Sequence, residues 1–272
     1  MFEGFFASQP VQNALLISTA AALLSGVIGV FTVLRGQAFA GHALADVSSA
    51  GGALALLLGA SPMLGFFGLG LAGALGLAQR GKGDGDLAAG ILLGAGLGIT
   101  ALLLHFAVTL RGVAGAASSI MFGSLFATPP SIAWLALGGA VAGMALLIVL
   151  ARPLLLASLD AELAATRGVN VRLVGGVYLV LLAMAVTLSA MAVGAILSTA
   201  LLIGPASAAL RLARRPGVAI GLAALIGVGC CWGGVVLAYA SYGWTPGHVW
   251  PVSFFITALV LLVYAASAWR TP

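Results

Sequence analysis

Residues 12–34 read QNALLISTAAALLSGVIGVFTVL and contain no charged side chain. A helix of roughly 20 apolar residues is long enough to cross the hydrocarbon core of a lipid bilayer. Comparable apolar stretches follow along the chain at residues 38–59, 62–79, 87–110, 131–151, 171–192, 195–212, 217–241 and 250–269. The sequence therefore predicts an all-α, polytopic membrane protein with about nine transmembrane helices. The divisions before His42 and at Gly194 are the weakest, and they leave eight helices as the alternative.

The composition excludes a water-soluble fold. Of the 272 residues, 62% are hydrophobic and 6% are charged, which leaves too little polar surface to cover a globular protein in water. The apolar stretches occupy nearly the whole length, so we expect a single transmembrane domain over residues 1–272. The net charge is +5, but the basic residues are scattered between apolar stretches, which argues against nucleic-acid binding. Glycines at helical spacing, as at Gly90, Gly94 and Gly98, predict close approaches between helices.

The positions of Lys and Arg predict the orientation of the helices. Short cytoplasmic loops of membrane proteins carry an excess of basic residues. If the loop at residues 152–170 is cytoplasmic, all eleven basic residues except Arg111 lie on that side. This distribution predicts an N-terminus outside and a C-terminus inside when the helix count is odd.

Two ionisable residues within the second apolar stretch are candidate ligands of a metal ion. Charged groups at membrane depth are costly and mark functional sites. His42 and Asp46 are four residues apart, so they lie on one face of a helix, one turn from each other. Imidazole and carboxylate are ligands of zinc and also suit manganese or ferrous iron. The alternative is a pair that only hydrogen-bonds within the bundle and holds helices together.

Two further histidines are weaker candidates. His105 is isolated within its apolar stretch, which favours a packing role over metal binding. His248 follows Pro246 and Gly247 in a predicted outer loop, where contact with water is the simpler interpretation.

Two segments imitate nucleotide-binding motifs. Residues 68–73 read GLGLAG, but a dinucleotide fingerprint requires a preceding strand in a soluble βαβ unit. Residues 76–82 read GLAQRGK, and Gly83 stands where a P-loop has Ser or Thr for magnesium. We therefore expect ATP hydrolysis, if the protein depends on it, to come from a separate subunit.

The loop at residues 155–170, LLASLDAELAATRGVN, has the signals of a short helix near residues 158–168. The residues that suit its cap, its first turn and its end are Ser158 or Asp160, Glu162, and Arg167 with Gly168. A short cytoplasmic helix between two spans is a natural docking element for a soluble partner. The alternative is an ordinary connecting loop.

Three segments carry a resemblance to a known family. They read GHALAD at 41–46, DAELAATRG at 160–168 and VGAILSTALLIGPASAA at 193–209. They resemble segments of the ABC-3 family of zinc, manganese and iron permeases, which is similar in design to the vitamin B12 and siderophore permeases. That family opens its second span with a motif similar to GDALxH, so His42 and Asp46 retain its ligand types in reverse order. The reversal leaves the position of the metal and the selectivity open.

The resemblance implies the membrane-spanning permease subunit of an ABC importer for a divalent transition metal, with zinc as the first expected cargo and manganese or iron as the alternatives. It implies no catalytic activity and no permanently bound cofactor, because the metal ion is the transported substrate. Two permease copies would assemble as a homodimer in a bacterial inner membrane, with cytoplasmic ATP-binding subunits and a periplasmic metal-binding protein. The residues implied to couple to the ATPase are Asp160, Glu162, Ala164 and Gly168, and those implied to bind metal are His42 and Asp46.

Two other functions are compatible with parts of the sequence. An intramembrane metalloenzyme could use His42 and Asp46 to hold a catalytic metal, but zinc enzymes usually supply three protein ligands and a general base. Only His105 could extend the set. A siderophore or cobalamin cargo would fit the same architecture and would need no paired His and Asp.

Overall fold

The computed structural model describes residues 5–79, 85–113, 115–244 and 250–269. Within these ranges the chain forms eleven α-helices, with one 3₁₀ turn at Leu125–Ala127 and no β-strand. In chain order the helices are α1 (Gln9–Leu34), α2 (Ala38–Leu58), α3 (Pro62–Ala78), α4 (Gly85–Arg111), α5 (Ala116–Phe122), α6 (Pro130–Leu159), α7 (Ala161–Thr166), α8 (Val171–Val193), α9 (Ala195–Leu212), α10 (Pro216–Ser241) and α11 (Val252–Trp269).

Eight helices of the described chain are long and apolar enough to cross a membrane, and they are α1, α2, α4, α6 and α8 to α11. Helix α3 is also apolar but has 17 residues. It runs antiparallel to α2 and packs closely against it. A Cβ at Gly65 would overlap the Gly51 carbonyl oxygen, and Gly73, later in α3, lies beside Leu44, earlier in α2. Helix α3 therefore returns through the depth of α2 and corresponds to the third predicted stretch. The predicted all-α, polytopic fold is confirmed.

The predicted boundaries agree with the structure within about three residues, an ordinary uncertainty for helix ends, except at the end of α6. The sequence predicts an end near residue 151, but α6 continues through Pro153 to Leu159. A proline removes one backbone hydrogen bond and usually ends or kinks a helix. Here Leu154 is buried, and the Ser158 hydroxyl donates to the Leu154 carbonyl at 2.6 Å. Packing thus keeps α6 helical as far as Leu159 despite the proline. The next helix, α7, therefore begins only at Ala161 and is shorter than the predicted segment 158–168.

The buried core lies on α1, α8 and α2. In the most apolar windows of these helices 78%, 72% and 67% of residues are buried, against 22% in α4 and 28% in α6 and α11. Helices α4, α6 and α11 therefore present most of their surface to lipid or to another subunit. Hydroxyl groups join the central helices: the Ser25 and Ser189 oxygens are 2.5 Å apart, and Ser25 also donates to the Ala185 carbonyl at 3.2 Å. In apolar surroundings such bonds fix the helices relative to one another.

A glycine holds α4 close to α2, but it is not one of those predicted. A Cβ at Gly94 or Gly98 would meet no atom within 4 Å, so these two glycines make no close helix contact within the described part of the chain. A Cβ at Gly96 would instead lie 2.9 Å from the backbone carbonyl carbon of Asp46. The two helices are therefore packed backbone to backbone at the level of Asp46.

We expect the end of the bundle that carries α7 to face the cytoplasm, because of the distribution of basic residues described above. With Cys230 and Cys231 replaced by Ala, the variant Glu162→Cys should react with an impermeant thiol reagent only after the membrane is opened. The variant Trp244→Cys, at the opposite end, should react in intact cells. Both positions are exposed. Reaction of the Glu162→Cys variant in intact cells would overturn the orientation.

Candidate functional site

His42 and Asp46 face each other near the start of α2. The connection from α1 is three residues long, and Gly36 adopts a left-handed φ of +67° that L side chains rarely adopt. At a rise of 1.5 Å per residue, the pair lies about 6 to 12 Å along the helix from its first residue, Ala38. The distance from His42 Nε2 to Asp46 Oδ2 is 3.9 Å. An ion about 2.0–2.2 Å from each atom could contact both.

The Asp46 carboxylate is buried and incompletely bonded. The residue is 1% exposed, and its Oδ2 atom has no hydrogen-bond partner among the described residues. Its backbone carbonyl accepts hydrogen bonds from Ser49 Oγ at 2.8 Å and Thr100 Oγ1 at 3.4 Å, and the second of these ties α2 to α4. A buried carboxylate oxygen without a partner is unfavourable unless a proton or a cation satisfies it. The residue is therefore fixed through its backbone, and its buried Oδ2 atom is free for a cation.

The His42 ring is more open and is oriented by α9. Its side chain is 35% exposed, against 2% for Asp46. Its Nδ1 atom lies 2.8 Å from Thr199 Oγ1, which is hydrogen-bond distance. A bond to one ring nitrogen fixes the ring and leaves the other nitrogen, Nε2, facing Asp46. Relative to the order in the resembled permeases, the reversal puts the carboxylate at the closed position and the imidazole at the open one.

The pair does not complete a metal site within one chain. Among the described residues no group of three or more His, Cys, Asp or Glu side chains could hold a metal ion. His105 therefore does not join His42 and Asp46; it is exposed on α4, with its ring centroid 5.8 Å from that of Phe106. His248 lies outside the described residues. A resident catalytic metal would require more protein ligands than this arrangement supplies.

A groove of about 430 Å³ opens between α9 and α11 beside this pair. Its polar lining residues are Thr199, Ser207, Thr257 and Tyr264. Because Thr199 is also within hydrogen-bond distance of His42, the groove and the pair are adjacent. The sequence reasoning missed Thr199, although it lies within the segment at 193–209 that carried the resemblance.

The ends of α7 are fixed by local sequence. The Asp160 Oδ1 atom accepts hydrogen bonds from the backbone N–H groups of Glu162 at 3.0 Å and Leu163 at 2.9 Å. Asp160 is therefore the cap, since Ser158 lies inside α6. After the helix, Gly168 adopts a φ of +79°, which favours glycine.

The two faces of α7 differ. Glu162 and Leu163 are exposed, whereas Ala164 is 0% exposed and packs against its own chain. Of the four residues that the resemblance associates with ATPase coupling, Ala164 is thus inaccessible to a partner. A large side chain at that position would displace α7 rather than clash with another protein.

The chain is a multi-span membrane protein, since eight of its described helices are long and apolar enough to cross a membrane. Residues 7–266 match the model of the ABC 3 transport family. The chain therefore belongs to the ABC 3 transport family, and the resemblance noted in the sequence is confirmed. It is a transport component and not an enzyme, with the ATPase in a separate subunit.

Relatives of known cargo are similar to nearly the whole chain. The manganese transport system membrane protein MntC of Listeria innocua is 32% identical over 229 residues, which cover 83% of this chain and 80% of that protein. The high-affinity zinc uptake system membrane protein ZnuB of Haemophilus influenzae is 28% identical over 242 residues, covering 88% and 89%. In the structure of PsaBC from Streptococcus pneumoniae in complex with Fab, a chain with 25% identity superposes with a TM-score of 0.85, covering 100% of this chain and 95% of that one.

Proposed function

We propose that this chain is the permease subunit of a bacterial ABC importer for a divalent transition metal, and that His42 and Asp46 bind the ion in transit. The observation that carries the proposal is the free, buried Oδ2 atom of Asp46, 3.9 Å from the Nε2 atom of His42. A divalent cation between the two atoms would satisfy the buried carboxylate and accept the imidazole lone pair.

An incomplete ligand set suits a carrier better than a storage site. A transported ion must bind strongly enough to enter and weakly enough to leave. Two protein ligands, with water or a second subunit supplying the rest, hold an ion less firmly than the four ligands of a structural zinc site. The half-exposed position of His42 also gives the ion a way in and out.

The proposed cargo is manganese first and zinc second. One imidazole and one carboxylate suit either ion, while a thiolate, the ligand that would favour zinc, does not accompany them. Among the described residues, Cys230 and Cys231 form no metal-binding group with His42 or Asp46. The relatives named for manganese and for zinc support both ions, so the expected preference for zinc remains the alternative.

The assembly that we propose is a homodimer in the inner membrane, with ATPase subunits at the α7 end and a periplasmic metal-binding protein at the other. The groove between α9 and α11, whose lining residue Thr199 contacts His42, offers a surface on which a second copy could close. A two-fold axis there would duplicate the His42 and Asp46 ligands about one pathway.

The charge of Asp46 tests the metal site. Asp46→Asn keeps the shape of the side chain and removes its charge, so uptake of radiolabelled Mn²⁺ or Zn²⁺ should fall by more than about tenfold, a loss that even outer ligands of metal sites produce. His42→Ala should cause a similar loss. His105→Ala, a histidine change on an exposed face of α4, is the matched control and should transport normally.

Membrane level and thermal stability in detergent must be measured on the same variants. If the pair only holds helices together, Asp46→Asn should keep transport, because an amide can still hydrogen-bond. Wild-type uptake by both variants would refute the metal site, whereas loss of the folded protein in the His42→Ala variant together with normal transport by Asp46→Asn would favour the structural alternative.

Helix α7 is the proposed coupling helix. Its exposed apolar side chain, Leu163, is 42% exposed and is suited to a groove on the ATPase subunit. Leu163→Glu should reduce the amount of ATPase subunit that copurifies with the chain, because a charge would be buried without a partner. Leu212→Glu, at the same end of the bundle and with 41% exposure, is the matched control. Equal copurification of both variants would argue against docking through α7.

A further inference from the structure

Arg35 joins three parts of the chain at the α7 end of the bundle. It is the first residue of the connection from α1 to α2. Its Nε atom donates a hydrogen bond to Ser158 Oγ at 2.8 Å, near the end of α6. Its guanidinium carbon lies 4.6 Å from the centroid of the Tyr178 ring on α8, within the range of a cation–π contact.

The bond to Ser158 connects Arg35 to the proposed coupling helix. Ser158 lies in the last turn of α6, and Asp160 is both the C-cap of α6 and the N-cap of α7. No flexible segment therefore separates Ser158 from α7. A displacement of α7 must move Ser158 or break the short connection between the two helices.

On its other side, Arg35 is close in sequence to the proposed metal ligands. Only Gly36 and Gln37 separate it from the first residue of α2, and His42 follows on the second turn. A helix carries a displacement of its first turn along its length, because its backbone hydrogen bonds resist stretching. Movement of Arg35 would therefore shift the imidazole of His42.

The ring of Tyr178 provides a fixed reference for this movement. Tyr178 is 1% exposed, and its hydroxyl donates to Thr32 Oγ1 at 3.1 Å. The Thr32 hydroxyl in turn donates to the Ile28 carbonyl at 2.9 Å within α1. The ring is thus tied to the two most buried helices, so Arg35 can move relative to a surface that stays in place.

A cavity of about 770 Å³ leaves space for a second position of Arg35. Arg35 and Gln37 line it from the connection, and Glu162 lines it from α7. Arg35 Nη2 and Gln37 Oε1 are buried and have no hydrogen-bond partner among the described residues. Unpaired buried polar groups are unfavourable, so an arrangement that pairs them would be stabilised. The Glu162 carboxylate is an acceptor that a shift of α7 could bring to Arg35.

We propose that Arg35 transmits movement of α7 to α2 and so to the His42 and Asp46 pair. The proposal rests on the proposed function, because it takes α7 as the coupling helix and the pair as the ion site. Arg35 does not touch the ion and acts as a positioning residue. Its role is to let ATP-driven movement outside the membrane change the geometry of the site inside it.

The test uses the complex of this chain with its ATPase subunit in proteoliposomes, and it measures ions of Mn²⁺ or Zn²⁺ transported per ATP hydrolysed. Arg35→Gln should lower this ratio by about fivefold or more, the lower end of couplings between distant sites. Assembly and basal ATP hydrolysis should persist. Arg172→Gln changes an exposed arginine that lines the same cavity, so it is the matched control and should keep the wild-type ratio.

A second, smaller change distinguishes a loss of coupling from misfolding of the Arg35→Gln variant. Ser158→Ala removes one hydroxyl and should lower the ratio in the same direction. The double variant should be no worse than Arg35→Gln alone, since both changes break the same bond. An unchanged ratio in either single variant, or additive losses in the double variant, would overturn the link. If the wild-type complex transports neither ion, the proposed function fails instead.

Discussion

The hydrocarbon core of a membrane offers no water to hydrogen-bond with, so a chain that crosses it must satisfy its polar groups internally. The backbone does so by forming helices along almost the whole described chain. Some buried hydroxyl groups do so by pairing across helices, as Ser25 does with Ser189, and others by donating to a carbonyl of their own helix, as Thr32 does. Against this background the unpaired carboxylate oxygen of Asp46 is an exception. At membrane depth such a group indicates a functional site, whereas in a water-exposed protein it would not.

The difference between His42 and Asp46 follows from the helices around them. Asp46 is enclosed because Gly96 lets α4 approach the backbone of α2, and because Thr100 reaches the Asp46 carbonyl. His42 lies where α2 meets α9, and its side chain is 35% exposed. A cation would therefore meet the imidazole on the more exposed side and the carboxylate behind it. The interaction of a cation with the carboxylate is the stronger of the two, because attraction to a negative group is strongest where water is excluded.

The sequence predicts the helices well because lipid imposes one composition on every span. It also predicts the one-turn spacing of His42 and Asp46, since a helix places residues four apart on one face. The partner of His42 could not be predicted in the same way, because Thr199 is 157 residues away and only the packing of α9 on α2 brings the two together. For the same reason the sequence did not distinguish Gly96 from Gly94 and Gly98, or reveal that Ala164 faces its own chain. Helix α6 continues through Pro153 because neighbouring helices pack against it, and the helix propensity of the local sequence gives no information on that packing.

In the proposed mechanism the two ligands respond differently to the same movement. Thr100 ties the Asp46 backbone to α4, a helix that touches the core through few buried residues, so α2 and α4 can move together. His42 is instead oriented by Thr199 on α9, across an interface that such a movement would shear. Sliding α2 past α9 would remove the hydroxyl that orients the imidazole while leaving the carboxylate in its enclosed position. If the pair binds the ion as proposed, the imidazole, with its side chain 35% exposed against 2% for Asp46, is then the ligand that releases the ion first.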